Sequence, residues 1–257
     1  MHFVCHYICP MTVYAHIRAM ADQNRKGLAL LIDPDKFVPE RHLPGLLHLQ
    51  SEGLAHMVLV GGSLLTSDAF HICVAALKKH LSLPVVIFPG SPGQIDRSAD
   101  ALLLLSLISG RNADLLIGRH VEAAPALKQS RLELIPTGYL LVECGPLTTA
   151  AYMSQALPIP HNKPEVAAIT ALAGQMLGLR MMYLDGGSGA QKPVSPDMIA
   201  AVKKEVHCPV MVGGGLRTGS QIAQAYAAGA DWAVIGTAFE DQPEAWAEAL
   251  KMALTKN

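Results

Sequence analysis

Short, continuous apolar runs rich in Leu, Val and Ile recur along this chain. They occupy residues 28–32, 57–60, 85–88, 101–105, 134–142, 181–184, 210–212 and 232–235. A strand buried on both faces has this pattern, because neither face meets water, and such strands build parallel sheets. Between them the apolar positions take helical spacing, at 43–52, 68–80, 113–128, 165–177, 196–206, 220–228 and 243–254. A further helix at 13–25 precedes the first strand. Several of these segments open on a capping side chain or an early proline: Ser67 before Asp68, Ser195 before Pro196, Asp241 near Pro243. Strand and helix alternate, so the pattern predicts βα units. Eight such strands in a chain of 257 residues predict a closed (β/α)8 barrel, a TIM barrel, in preference to an open sheet.

One connection departs from the pattern. Between the third and fourth strands stands Pro89-Gly90-Ser91-Pro92-Gly93-Gln94-Ile95-Asp96-Arg97-Ser98. Two prolines and two glycines forbid an ordinary helix there. The barrel is therefore expected to be modified, with its helix between strands 3 and 4 missing or replaced by a loop. Such a gap exposes apolar flanks that form a groove for a long apolar ligand; a plain loop with 3₁₀ turns and no role is the alternative. No linker or low-complexity run interrupts the chain. It is expected to be a single barrel domain over 1–257, with an irregular extension at 1–12 ahead of the first helix.

Composition narrows the class. Apolar residues make up 51% of the chain, and Lys+Arg 20 against Asp+Glu 21 leave a net charge of -1. That balance gives no electrostatic case for nucleic acid, whose binders carry a basic face. No apolar stretch approaches the roughly 18–20 residues of a membrane span. No basic segment followed by an apolar block is present, so no signal peptide is expected. Peripheral contact with a membrane stays open if the substrate is a lipid. The cysteines are five, and Cys73, Cys144 and Cys208 stand isolated among apolar neighbours. They read as reduced thiols of a cytoplasmic protein. Cys5 and Cys9, with His2 and His6, bring zinc to mind, but no second ligand pair follows at finger-like spacing; the segment is expected to be an undistinguished extension.

The chemistry concentrates in the last quarter. Tyr183-Leu184-Asp185-Gly186-Gly187-Ser188-Gly189 follows strand 6, Val212-Gly213-Gly214-Gly215-Leu216-Arg217 follows strand 7, and Ile235-Gly236-Thr237 follows strand 8. Glycine has no Cβ, so its N–H can approach a ligand closely. Successive N–H groups stabilise a phosphate dianion, and barrels often build that site from the loops after strands 7 and 8. Across the mouth, strand 1 ends on Leu31-Ile32-Asp33-Pro34-Asp35-Lys36 and strand 2 on Gly61-Gly62-Ser63. A carboxylate and a hydroxyl at adjacent strand ends suit Mg²⁺, a hard cation that takes oxygen ligands. A phosphate site alone leaves several reactions open: phosphosugar isomerisation, flavin chemistry and transfer to a phosphate ester.

The ordered series of these strand-end motifs, with Phe88-Pro89-Gly90-Ser91, Ile135-Pro136-Thr137-Gly138-Tyr139, Ala151-Tyr152-Met153-Ser154 and Pro158-Ile159-Pro160, resembles the geranylgeranylglyceryl phosphate synthase family from about Leu28 to the C-terminus. The resemblance implies a Mg²⁺-dependent prenyltransferase on a barrel lacking its third helix. It implies transfer of the geranylgeranyl group from geranylgeranyl diphosphate to the hydroxyl of sn-glycerol 1-phosphate, in a homo-oligomer that is a dimer or a hexamer. By motif position it makes Asp33 and Ser63 the metal ligands. Tyr183, Leu184, Asp185, Gly186, Gly187, Ser188, Gly189, Gly214, Gly215, Gly236 and Thr237 become the glycerol phosphate site, with Asp185 as catalytic base. Members of that family often carry Glu where this chain has Asp185, whose arm is one methylene shorter. Related synthases take longer donors, so a heptaprenyl enzyme is the alternative within the family. Lys36, Arg111, Arg119 and Lys163 are candidates for the diphosphate, Tyr139 and Tyr152 for the site or the tail groove, and His120 and His161 for a substrate contact.

Overall fold

A computed structural model describes residues 11–254, so the His2, Cys5, His6 and Cys9 segment lies outside the described residues. The elements run α1 Val13–Asp22, β1 Gly27–Ile32, α2 Pro39–Ser51, β2 Met57–Val60, α3 Ala69–His80, β3 Val85–Ile87 and β4 Ala101–Leu107. A π-helical turn, Asp114–Gly118, leads into α4 Arg119–Ser130 and then β5 Glu133–Leu141. There follow α5 Thr149–Ser154, α6 Pro164–Met176, β6 Met181–Asp185, α7 Pro196–Glu205, β7 Val210–Gly213, α8 Gly219–Ala227 and β8 Trp232–Ile235. The last elements are α9 Thr237–Asp241, a 3₁₀ turn Pro243–Ala245 and α10 Trp246–Leu254. All eight strands pair in parallel and in chain order, and β8 closes on β1. At that seam Gly27 lies opposite Trp232, and a Cβ on Gly27 would fall 2.3 Å from the indole. The indole is accommodated because residue 27 has no side chain.

Strand alternation divides the core in two. Ala29, Met57, Leu59, Val86, Ala101, Leu103, Ile135, Met181, Tyr183, Met211, Trp232 and Val234 fill the barrel interior. Val13, Ile17 and Met20 of α1 join them and plug the N-terminal end. Their neighbours in sequence, such as Leu28, Leu30, Val58, Val85, Leu102, Met182, Leu184 and Val210, pack outward against the helices. Both strand faces are thus dry, which is why the strands show continuous apolar runs. The same parity has a consequence at the other end. Residues two or four beyond the last of these, Asp33, Phe88, Tyr139, Asp185 and Gly236, arrive at the C-terminal mouth on the inward side.

Between β3 and β4 the chain has no helix, as the Pro/Gly-rich segment predicts. β3 and β4 meet at Val86↔Ala101 and Ile87↔Leu102. The replacing loop is held from within by Gln94, which is 5% exposed. Its amide accepts from Gly90 N–H at 3.0 Å and donates to Gly62 O at 3.0 Å. His71 of α3 meets Asp96 of the loop at 2.7 Å.

Candidate active site

The turns after β6, β7 and β8 converge at the mouth. Gly214 (φ +77°) and Gly215 (φ +74°) take backbone angles that side chains rarely adopt. A Cβ on Gly214 would fall 2.6 Å from Gly187 N, 2.7 Å from Gly186 N and 2.8 Å from Asp185 Oδ1, and one on Gly215 would fall 2.4 Å from Lys192 O. Ser188 Oγ and Thr237 Oγ1 lie 3.2 Å apart, tying the β6 and β8 turns together. These groups line a cavity of about 280 Å³. If these turns hold a phosphate, as their sequence leads one to expect, replacing Gly214 by Ala should raise the Kd of a phosphate-ester ligand at least about tenfold, because the methyl both collides with the neighbouring turn and demands a strained φ. Calorimetric titration of the variant with a phosphate ester measures it, and an unchanged Kd refutes the expected phosphate site.

Asp185 stands beside these turns. It is 6% exposed. Its Oδ2 accepts from Tyr139 O–H at 2.5 Å and its Oδ1 from Gly187 N–H at 2.7 Å. Burial pushes its pKa above the usual carboxylate value, and the two hydrogen bonds hold it back. Tyr139 is fixed in turn by Phe88 and Tyr183, whose ring centroids lie 5.8 and 5.7 Å from its own. Burial, then the nearby Asp185 charge, raises the Tyr139 phenol well above its usual pKa. Tyr139 therefore stays a donor to the carboxylate.

On the opposite wall the β1 loop brings Asp33 and Lys36 into the cavity, and the β2 loop brings Ser63. Asp33 Oδ1 accepts from Asp35 N–H at 3.1 Å, and Lys36 Nζ sits 3.5 Å from Asp33 Oδ2. Asp35 itself turns away to fasten the two loops: it accepts from Thr66 N–H and Oγ1 at 2.6 and 2.9 Å, and from Ser67 N–H and Oγ at 3.2 and 2.5 Å. The Ser67 hydroxyl and then the Thr66 N–H hold its pKa below the ordinary carboxylate value. No group of three or more His, Cys, Asp or Glu able to hold a metal occurs among the described residues. Any cation here would rest on a carboxylate, a hydroxyl, substrate oxygens and water, which is a donor set for a hard ion.

A second, larger cavity of about 690 Å³ opens where the helix is missing. Phe70, Leu103, Leu105, Leu115, Ala123 and Leu127 line it, and it shares Ser63, Phe88 and Tyr139 with the first.

Most residues singled out from the sequence meet here. Asp33, Ser63, Tyr183, Asp185, Gly187, Ser188, Gly189, Gly214, Gly215, Gly236 and Thr237 all line the small cavity. Leu184 and Gly186 do not. Leu184 alternates outward into the helix-facing core, and Gly186 donates its N–H to Gly213 O at 3.0 Å; their part in the site is through the backbone that carries Asp185 and Gly187. Of the basic candidates, Lys36 lines the cavity. Arg119 and His120 line the groove, with Arg119 paired to Glu122 at 3.1 Å. Arg111 donates to Gly110 O at 2.7 Å, Lys163 lies 3.8 Å from Glu165, and His161 Nε2 lies 3.2 Å from Pro193 O. Tyr152 is 70% exposed. Glu240 was not singled out, yet it lines the same cavity.

The model of the PcrB family matches residues 21–254. The chain belongs to the PcrB family. Among relatives of this family member, the geranylgeranylglyceryl phosphate synthase of Spirosoma linguale is 53% identical, over 86% of this chain and 88% of its own. That of Chitinophaga pinensis is 45% identical over 86% and 88%. A crystal structure of (S)-3-O-geranylgeranylglyceryl phosphate synthase from Thermoplasma acidophilum, in complex with its substrate sn-glycerol-1-phosphate, superposes with a TM-score of 0.86. It is 33% identical, and the match covers 95% of this chain and 98% of that one.

Proposed function

We propose that this PcrB-family chain is a prenyltransferase that joins the geranylgeranyl group of geranylgeranyl diphosphate to the hydroxyl of sn-glycerol 1-phosphate. The products are 3-O-geranylgeranyl-sn-glyceryl 1-phosphate and diphosphate. One observation carries the reading: a small cavity, built of glycine turns around a buried carboxylate, shares a wall with a larger, mostly apolar groove. The first has the chemistry of a phosphorylated acceptor, and the second that of a long hydrocarbon tail. The names of the relatives support the same pair of substrates.

In this reading the turns at Gly187, Gly214, Gly215, Gly236 and Thr237 hold the acceptor phosphate, which sets the glycerol hydroxyl beside Asp185. Asp185 accepts the hydroxyl proton while the oxygen forms its bond to the allylic carbon. The carbon–oxygen bond to the diphosphate breaks with its electron pair leaving on the diphosphate. Tyr139 holds Asp185 in place through its O–H. Fixing the two reactants against one another is worth roughly 7–11 kcal/mol in favourable cases. Lys36 meets the departing diphosphate, and Leu104, Leu115 and Ala123 receive the tail. Asp33 and Ser63 would hold Mg²⁺. When bound, Mg²⁺ would neutralise charge developing on the leaving group.

The test is a donor panel. Purified protein with Mg²⁺, sn-glycerol 1-phosphate and prenyl diphosphates of increasing length should give ether products, read by mass, with the geranylgeranyl product formed fastest. A maximum at a longer donor makes the chain a heptaprenyl-type synthase. Turnover of a phosphosugar with no ether product from any donor defeats the proposal.

A further inference from the structure

Glu240 is a buried carboxylate that the reaction does not use. It is 7% exposed, and it lies on α9, directly after the Gly236–Thr237 turn. Its Oε1 accepts from the backbone N–H of Asp33 at 2.8 Å, and its Oε2 lies 3.5 Å from Lys36 Nζ. Its own carbonyl is 3.3 Å from His42 Nε2 on α2. The loop after the last strand is thereby fastened to the loop after the first.

Burying a carboxylate is costly unless it is hydrogen-bonded and paired. Glu240 is both, and its two partners are the residues that face the donor. The N–H bond fixes the Asp33 peptide and so the direction of its side chain. The ion pair matters in another way. Lys36 Nζ is 3.5 Å from Asp33 Oδ2 and 3.5 Å from Glu240 Oε2, so it is shared between two carboxylates. Without the Glu240 charge, the ammonium would rest against Asp33 and compete with a cation for it.

We propose that Glu240 is a positioning residue for the donor's diphosphate: it orients Asp33 and draws the Lys36 ammonium off the Asp33 carboxylate, so that both residues face the same diphosphate. The inference rests on the reading of Asp33 as the cation's ligand, and the experiment separates the two.

Inorganic diphosphate with Mg²⁺, and separately sn-glycerol 1-phosphate, are titrated calorimetrically into wild type, Glu240→Gln, Glu240→Ala and Asp33→Ala. Glu240→Gln keeps an acceptor for the Asp33 N–H and loses only the charge. It should raise the Kd of Mg²⁺-diphosphate about tenfold, and Glu240→Ala should raise it further, while the Kd of glycerol 1-phosphate stays within about twofold. Unchanged diphosphate affinity in Glu240→Gln overturns the inference, as does an equal loss for both ligands, which would mark general loosening. Should Glu240→Ala fail to fold, Glu240→Gln decides alone. If wild type binds no Mg²⁺-diphosphate, or Asp33→Ala binds it as tightly as wild type does, the donor-site reading falls and takes this inference with it.

Discussion

Replacing Asp33 by Ala should lower turnover by at least about a thousandfold, some 4 kcal/mol of transition-state stabilisation, while leaving the fold and the binding of glycerol 1-phosphate in place. The proposed reaction breaks a carbon–oxygen bond to a highly charged leaving group, so losing charge stabilisation at the diphosphate should raise the barrier to that bond breaking. In the proposed reading Asp33 is the carboxylate ligand on that wall of the cavity, and Ser63 contributes a hydroxyl. Ser63→Ala is accordingly expected to cost less. The fold should survive because the Asp33 side chain is 27% exposed, and its hydrogen bond and ion pair, to Asp35 N–H and Lys36, both lie within its own loop. The bond that ties this loop to α9 uses the Asp33 backbone N–H and is kept in the variant. Steady-state rates with geranylgeranyl diphosphate, circular dichroism and a glycerol 1-phosphate titration check the three parts. Wild-type rates in Asp33→Ala would sink the metal assignment.

How far these residues were legible in the sequence depends on what made each one visible. The strands were legible because both faces are dry, so each apolar run coincides with a strand to within one or two residues at either end. Helix boundaries were less so. The expected helix at 13–25 stops at Asp22, where Gln23 turns its N–H to Ala19 O and Asn24 takes φ 54°. The helix expected from 113 opens instead as a π-helical turn over Asp114–Gly118. Apolar spacing cannot distinguish that turn from an α-helix. α5 and α9, of six and five residues, are too short for any periodicity to appear.

The site shows the same division. Glycine turns at three successive strand ends are conspicuous as sequence. A contiguous reading of 183–189, however, swept in Leu184, which alternation sends to the outside of the barrel. Asp35 stands in the same strand-end motif as Asp33, and only its four bonds to Thr66 and Ser67 show that it fastens loops. Glu240 had no sequence signal at all. It is one carboxylate on a short helix, and its partner Asp33 is 207 residues away.

Asp185 carries the second large effect. Asp185→Asn should lower turnover by roughly 10²–10⁴-fold, the usual span for losing a general base. The amide can keep its oxygen toward Gly187 N–H and offer its nitrogen to the Tyr139 oxygen, so the site should keep its shape and its affinity for glycerol 1-phosphate. The pH dependence is the sharper part of the prediction. Burial raises the Asp185 pKa, and the base works only when ionised, so the acid limb of kcat should lie above the ordinary carboxylate range. The Tyr139 hydrogen bond favours the ionised form. Tyr139→Phe removes it, so the limb should move to still higher pH, with the plateau at alkaline pH less affected than the rate near neutrality. Linkage gives the matching sign for stability. With the folded pKa above the unfolded one, the contribution of Asp185 is fully present below the unfolded pKa and is lost as pH rises through the folded pKa. Asp185→Asn should flatten that segment of the melting-temperature profile. A pH–rate series for wild type and Tyr139→Phe decides the assignment: an acid limb that stays put, or moves down, when the phenol is removed would mean that Asp185 is not the group being titrated.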